Sequence, residues 1–260
     1  MNDTDRTPTA HPIVWCRRTL DDVPSGDDWL TPAEREIQTR YTVAVRRADW
    51  RLGRWTAKTA MHTAFGVGEH EVAVIAADDG APEVHLDGGP LPVSLSISHR
   101  QGVAVAAVAC AGVAVGIDLE VVEPRSDAFV REWFLGVDQV RIRAADDPHE
   151  MACLRWSIKE AAAKLLRGGL RLNVRTMEVR LAIEAGPGLW RPWQVRSDEL
   201  DAPVDGWSLV DDGWVTALAT SPRLAVAPPP AARAAATGVP VSAGSVGRSR
   251  WSDRPSAPGG

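Results

Sequence analysis

Two short segments carry residue types that could do chemistry together. Val115-Gly116-Ile117-Asp118-Leu119-Glu120 sets two carboxylates two residues apart at the end of an apolar strand. Period-two alternation turns both to one face. Trp156-Ser157-Ile158-Lys159-Glu160, continuing to Lys164, sets a carboxylate and two lysines on one helix. Glu160 and Lys164 lie one turn apart on the same side. Three acids without neighbouring His or Cys suit a hard cation, Mg2+ before Zn2+. Two lysines beside them would meet a phosphorylated substrate. Taken singly, each piece also suits a plainer role. Asp118 and Glu120 fit a solvated strand end, Glu160 and Lys164 a helix ion pair worth about 0.2–0.5 kcal/mol, and Lys159 a solvated helix charge.

Further donors stand upstream. Ser98-His99, after Ser94-Leu95-Ser96-Ile97, offers a hydroxyl and an imidazole to a phosphate, or a polar contact at a strand end. Arg47, Arg51, Arg54 and Lys58 fall at i, i+4, i+7 and i+11, a basic helical stripe that suits either solvent or an anionic ligand. No G-x-S-x-G elbow occurs, so a serine hydrolase triad is not indicated.

The elements that must position these groups are legible in outline. Ile13–Cys16 reads as a short buried strand. Thr31-Pro32-Ala33-Glu34 is a helix start, with Thr as N-cap, Pro at the first helical position and Glu three residues after the cap. Helical pattern then runs to about Phe65, broken near Val43–Ala48 and ended by Gly66. Glu71–Ala76 and Ser94–His99 alternate as strands. Val103–Val108 and Val113–Ile117 flank Ala111-Gly112, which predicts a hairpin. Met151–Arg167 is the clearest helix, with Leu154, Ile158, Ala162 and Leu165 on one face and Gly168-Gly169 beyond its end. Met177–Ile183 is a further strand, and Trp207–Val210 with Val215–Ala219 predicts a second hairpin across Asp211-Asp212-Gly213. From Ser221 the chain is rich in Pro, Ala, Gly and Ser and reads as a disordered tail.

Bulk properties narrow the class. Hydrophobic content of 45% and charged content of 24% are those of a soluble globular protein. A net charge of -5 argues against a whole-chain nucleic-acid binder, so any cationic site is local. Cys16, Cys110 and Cys153 form no CxxC pair, which points away from a disulfide framework or a zinc ribbon and toward a reducing cytoplasm. The polar start lacks the apolar core of a signal peptide, and no apolar run reaches membrane-span length.

The chain also echoes itself. Arg54-Trp55-Thr56-Ala57-Lys58-Thr59-Ala60 parallels Arg155-Trp156-Ser157-Ile158-Lys159-Glu160-Ala161. At the same offset Ile13–Cys16 falls on Ala114–Ile117. A helix and a strand agreeing in one offset predict two similar halves, with the acids in the second.

Ser96-Ile97-Ser98-His99, then Val115 to Glu120, then Trp156 to Lys164, in that order, resemble the signature of the Sfp-type 4'-phosphopantetheinyl transferases. Thr31–Glu36 and Gly80-Ala81-Pro82 add to the likeness, which covers roughly residues 31–220. The resemblance implies an α/β (α+β) fold, a pseudo-two-fold pair of similar halves with the site between them. It divides the chain into residues 11–110, residues 111–221 with the metal site, and the tail 222–260. It further implies a cytoplasmic monomer of secondary metabolism that transfers phosphopantetheine from coenzyme A to a serine of an apo acyl, polyketide or peptidyl carrier protein and releases 3',5'-ADP. By the same resemblance Asp118, Glu120 and Glu160 hold Mg2+, and Glu160 takes the serine proton. Lys164 assists the leaving nucleotide. Ser98 and His99 bind coenzyme A phosphates, with Arg54 and Lys58, and more weakly Arg47 and Arg51, as further contacts. No nucleic-acid or membrane partner is implied. Ala81 departs from the family, which often has Lys there. A Mg2+-dependent phosphodiesterase and a non-catalytic coenzyme A or carrier-binding scaffold are the competing readings. The charged segment Val121–Glu150 falls where the family receives its carrier.

Overall fold

The computed structural model of the chain describes residues 13–168, 172–182 and 189–223. The expected tail from residue 224 onward, Gly169, and Ile183 at the end of the expected strand Met177–Ile183 lie outside the described residues.

Helix α1 (Pro32–Thr39) starts as its sequence predicts. The Thr31 hydroxyl accepts from the Glu34 N–H, and the Glu34 carboxylate reaches back to the Thr31 N–H. The break falls at Arg40–Val43, ahead of the Val43–Ala48 stretch expected for it, and helix α2 (Ala44–Phe65) then ends at Gly66, whose φ of +69 is the left-handed conformation that glycine adopts without strain.

In the first half, β1 (Ile13–Thr19) pairs with β6 (Val103–Ala109), and β5 (Ser94–Arg100) covers the other side of β6. A small sheet of β2 (Val72–Ala76), β3 (Pro82–Leu86) and β4 (Gly89–Pro90) lies beside it. The second half begins with β7 (Ala114–Val121). Helices α3 (Asp127–Trp133), α4 (Gly136–Arg143) and α5 (Pro148–Leu165) come next. Strands β8 (Glu178–Leu181), β9 (Arg191–Arg196), β10 (Val204–Asp211) and β11 (Trp214–Ser221) complete a sheet of order β7-β11-β10-β9-β8.

The hairpin expected between Val103–Val108 and Val113–Ile117 does not form. Gln101 and Gly102 both have positive φ, the geometry of a two-residue hairpin turn, so β6 folds back on β5. Strand β7 pairs instead with β11. The second expected hairpin is present as β10–β11, turned at Asp212 and Gly213.

One face of β1, β6 and β7 supplies Ile13, Trp15, Val105, Ala107, Val115, Ile117 and Leu119 to a shared core between the halves. On the other faces, α2 packs through Ala57, Ala60 and Met61 onto Cys16, Ala106 and Val108, and α5 through Leu154, Ile158, Ala161 and Ala162 onto Val215, Ala217 and Ala219. Where β5 meets β7, side chains do the joining. Ser94 Oγ accepts from the Val115 N–H at 3.0 Å and Ser96 Oγ from the Ile117 N–H at 2.9 Å.

The internal echo is a repeated internal brace. On α2, Arg54 Nε donates to the Val74 carbonyl at 3.3 Å, while Glu34 accepts from the Val74 N–H at 3.0 Å. On α5, Arg155 Nη1 donates to the Val179 carbonyl at 2.9 Å, while Asp138 accepts from the Val179 N–H at 3.2 Å. Lys58 and Lys159 repeat the theme as fully buried ammoniums. Lys58 donates to the carbonyls of Trp29 and Glu69 and to Glu34. Lys159 donates to the carbonyls of Trp133, at 2.7 Å, and Val174, at 3.0 Å. A solvated role for Lys159 is therefore corrected: a buried ammonium must find acceptors, and here it finds backbone.

Candidate active site

Gly116 sets the distance between β7 and α5. A Cβ on it would lie 2.1 Å from the Ala161 carbonyl oxygen and 2.5 Å from the Leu165 nitrogen, so a bare backbone is needed for this approach. Two and four residues on, Asp118 and Glu120 share that face of β7. Glu160 and Lys164 come down to it from α5, one turn apart.

Asp118 is the hub. Its Oδ1 accepts from Lys164 Nζ at 2.8 Å and, across the seam, from Ser98 Oγ at 2.9 Å. Its Oδ2 is buried and has no hydrogen-bond partner. Lys164 also donates to the Ile117 carbonyl at 3.1 Å. Glu120 Oε2 accepts from Arg125 Nη2 at 2.9 Å, with Arg100 Nε 3.9 Å away. Burial, then the charge of Asp118, push the Glu120 carboxyl above its ordinary range against the pull of Arg125 and Arg100. Burial and Asp118 push Glu160 up likewise, with Lys164 opposing.

Among the described residues, no three His, Cys, Asp or Glu side chains stand close enough to form a finished metal cage. Lys164 and Arg125 occupy Asp118 and Glu120 instead. The donor set nevertheless fits a hard cation. An orphaned buried carboxylate oxygen beside two carboxylates that resist ionisation is an environment a divalent ion would relieve.

Two adjoining cavities are present, and the first of them reaches Glu160 and Lys164. A cleft of about 760 Å³ along the seam is lined by Glu160, Lys164, Trp133, Trp156 and Arg167, among others. A second, of about 390 Å³, is lined by Tyr41, Arg46, Trp50, Arg54 and His99. Gly80, Pro82 and Ile97 line both. At the wall of the first, Arg167 pairs bidentately with Asp79 of the other half, at 2.8 and 2.9 Å. That guanidinium, with the Ala81 N–H, holds the Asp79 carboxyl down at about 2.

Of the residues singled out in the sequence, Ser98, Asp118, Glu120, Glu160 and Lys164 converge. His99 and Arg54 stand at the second cavity, although the Arg54 guanidinium is also engaged by Val74 and stacks on Trp50 at 4.9 Å. Arg47 is exposed and donates to the Tyr41 carbonyl. Arg51 ties the carbonyls of Pro24 and Gly26 to Asp27 and Gln38. Lys58 is enclosed. Arg46, Arg100 and Arg125 were not singled out. Arg46 carries a usable signal, since it shares a helix face with Trp50, Gly53 and Arg54, which all line the second cavity.

Residues 114–218 match the family model of the 4'-phosphopantetheinyl transferase superfamily, and residues 34–109 match the 4'-phosphopantetheinyl transferase N-terminal domain. The chain belongs to the 4'-phosphopantetheinyl transferase superfamily. It is an enzyme of that superfamily with the two-domain architecture of the Sfp type. The match to the second half spans Asp118, Glu120, Glu160 and Lys164, and the match to the first spans Ser98 and His99. No curated protein matches the chain. Among solved structures, the holo-[acyl-carrier-protein] synthase (AcpS) of Thermotoga maritima is 21% identical, over 48% of this chain and 74% of that chain, with a TM-score of 0.31. Among the described residues, no helix is long and apolar enough to cross a membrane.

Proposed function

We propose that this transferase moves the 4'-phosphopantetheine group of coenzyme A to a serine hydroxyl of an apo carrier protein. The observation that carries the reading is the convergence across the seam. Ser98 of the first half and Lys164 of the second both meet Asp118, whose other oxygen is orphaned, and Lys164 lines the larger of two adjoining cavities.

The serine oxygen bonds to the β-phosphorus of coenzyme A, and the bond from that phosphorus to the bridging oxygen breaks. The serine proton passes to a base, and 3',5'-ADP leaves with the bonding pair. Glu160 is the base in this reading, since it lines the cleft one helical turn from Lys164. Lys164 places a positive charge beside the departing phosphate. Asp118, Glu120 and Glu160 would hold Mg2+, which would neutralise diphosphate charge when bound. His99, Arg54 and Arg46 line the second cavity and are assigned to the nucleotide end, with exposed Arg47 as a peripheral contact. The pantetheine arm is assigned to the first cavity, against Trp133 and Trp156. Lys58 is left out, because its ammonium is buried and already has acceptors. Both walls come from one chain, so a monomer is taken as the working unit.

The test is intact mass spectrometry of an apo carrier after incubation with the protein, Mg2+ and coenzyme A. A gain of one phosphopantetheine group is expected. Nucleotide release without carrier would replace the reading with hydrolysis, and coenzyme A binding without any transfer would replace it with a scaffold.

A further inference from the structure

Glu120 meets a cation that neither signature segment supplies. Arg125, in the stretch between β7 and α3, sends Nη2 to Glu120 Oε2 at 2.9 Å and Nη1 to within 3.3 Å of Glu123 Oε1. Its Nε donates to Cys153 Sγ on α5 at 3.4 Å, and its guanidinium lies over the Phe129 ring of α3, 5.1 Å from the centroid. Its own N–H donates to His149 Nδ1 at 3.3 Å. The side chain is only 14% exposed. Arg100 grips the same pair of carboxylates from the β5 end, bonding Glu123 Oε1 and lying near Glu120 Oε2.

This is a held arginine, not a surface counter-ion. All three nitrogens and one face of the guanidinium are engaged, by groups from β7, the following loop, α3 and α5. A planar fork with five donors can make this set of contacts, and an ammonium cannot. Glu120 Oε2 is thereby committed, while Oε1 accepts no hydrogen bond among the described residues. Without the fork, Glu120 would be a buried carboxylate beside Asp118 with only the more distant Arg100, 3.9 Å away, to hold its rotamer.

We propose that Arg125 is the positioning residue of the metal-binding carboxylates: it fixes Glu120 through Oε2, with Glu123 as its anchor, and so sets the affinity for the divalent ion. The inference rests on the reading of Asp118, Glu120 and Glu160 as a metal set. Partners that orient metal ligands typically contribute about 10- to 100-fold in affinity.

The test is titration of Mn2+ alone into the full chain, followed by the EPR signal of the free ion. R125Q should weaken binding by about 10- to 100-fold. R125K keeps the charge but loses the fork, and should fall between R125Q and the parent. If R125Q does not fold, as judged by its thermal melt, R125K decides alone. Unchanged or tighter Mn2+ binding in the folded variants overturns the proposal, since a charge that merely repels cations would tighten binding when removed. A cycle with E120Q separates positioning from general structure. Acting through Glu120, R125Q should add no further loss to E120Q, whereas additive losses would mean that Arg125 acts elsewhere. A parent that binds no Mn2+ removes the metal-site reading itself, and this proposal with it. A parent that binds and an R125Q that binds equally removes only the role of Arg125.

Discussion

Gly116 lies beneath Ala161 with no room for a side chain: a Cβ there would sit 2.1 Å from the Ala161 carbonyl oxygen. The obstacle is helix backbone, which cannot swing aside as a side chain can. Gly116→Ala must therefore push α5 away from β7, and Glu160 and Lys164 move with it. Overpacking of this kind costs about 1–3 kcal/mol, more where backbone must shift. We expect a melting temperature lower by several degrees and transfer reduced by at least tenfold. Unchanged melting and turnover would show that the helix does not depend on this approach.

Ser96 offers a sharper look at the seam. Its hydroxyl oxygen is the acceptor for the buried Ile117 N–H at 2.9 Å, in place of a strand carbonyl. Ser96→Ala leaves that N–H without its partner, a loss of about 1–3 kcal/mol. Denaturant unfolding should show this as a lower midpoint. Ser98→Ala removes the hydroxyl that donates to Asp118 Oδ1, so its transfer rate should fall further than that of Ser96→Ala. A reversed order would place the functional weight of the seam elsewhere.

The acids and Lys164 were legible in the sequence because their argument needs only local periods, two on a strand and four on a helix. The two-half organisation was legible because one offset aligned a helix and a strand. Strand partnership was not. Val103–Val108 and Val113–Ile117 have matching apolar runs, but pairing is decided by the backbone of Gln101-Gly102, which carries no Asn-Gly or Asp-Gly signal. The surroundings of the basic stripe were hidden for a related reason. Spacing shows that Arg51, Arg54 and Lys58 share a side of α2, not that Glu34, Trp29 and Asp27 from another segment fold over it and engage them. Arg125 lies in irregular chain, where no period marks a residue that reaches back to Glu120.

The pH dependence of stability has a definite sign at the acidic hub. Glu160 and Glu120 have carboxyl pKa values raised in the fold, first by burial and then by Asp118. The folded state thus holds their protons more tightly than the unfolded state does. Their stabilising contribution is full below the unfolded value and is lost as pH rises through the raised one. Glu160→Gln should remove its share of this loss. Without metal, the variant should melt above the parent near neutral pH, and the gap should close toward pH 4. Added Mg2+ should raise the parent's melting temperature more than the variant's, because a ligand of the native state stabilises it. Parallel melting curves across the pH range would mean that Glu160 ionises without strain.

Lys58, Lys159 and Lys164 are the lysines of the whole chain, and they make a natural labelling experiment. Lys58 and Lys159 are fully buried, and Lys164 is 30% exposed at the side chain. Burial lowers the Lys159 ammonium from its ordinary value to about 8, so near that pH about half of it is the free amine. If reactivity followed protonation alone, Lys159 would react early with an amine-directed ester. Access predicts the opposite. Its nitrogen is enclosed between the Trp133 and Val174 carbonyls, so reagent reaches it only through an opening of the fold. At pH 8 under native conditions, peptide mass spectrometry should find Lys164 acylated, and Lys58 and Lys159 slower by orders of magnitude. All three should react in denaturant. Coenzyme A should slow the labelling of Lys164 if its phosphates occupy the cleft, and an unprotected Lys164 at saturating coenzyme A would count against the role assigned to that lysine. Early labelling of Lys159 would show that the brace between α5 and Trp133 opens far more readily than its buried contacts imply.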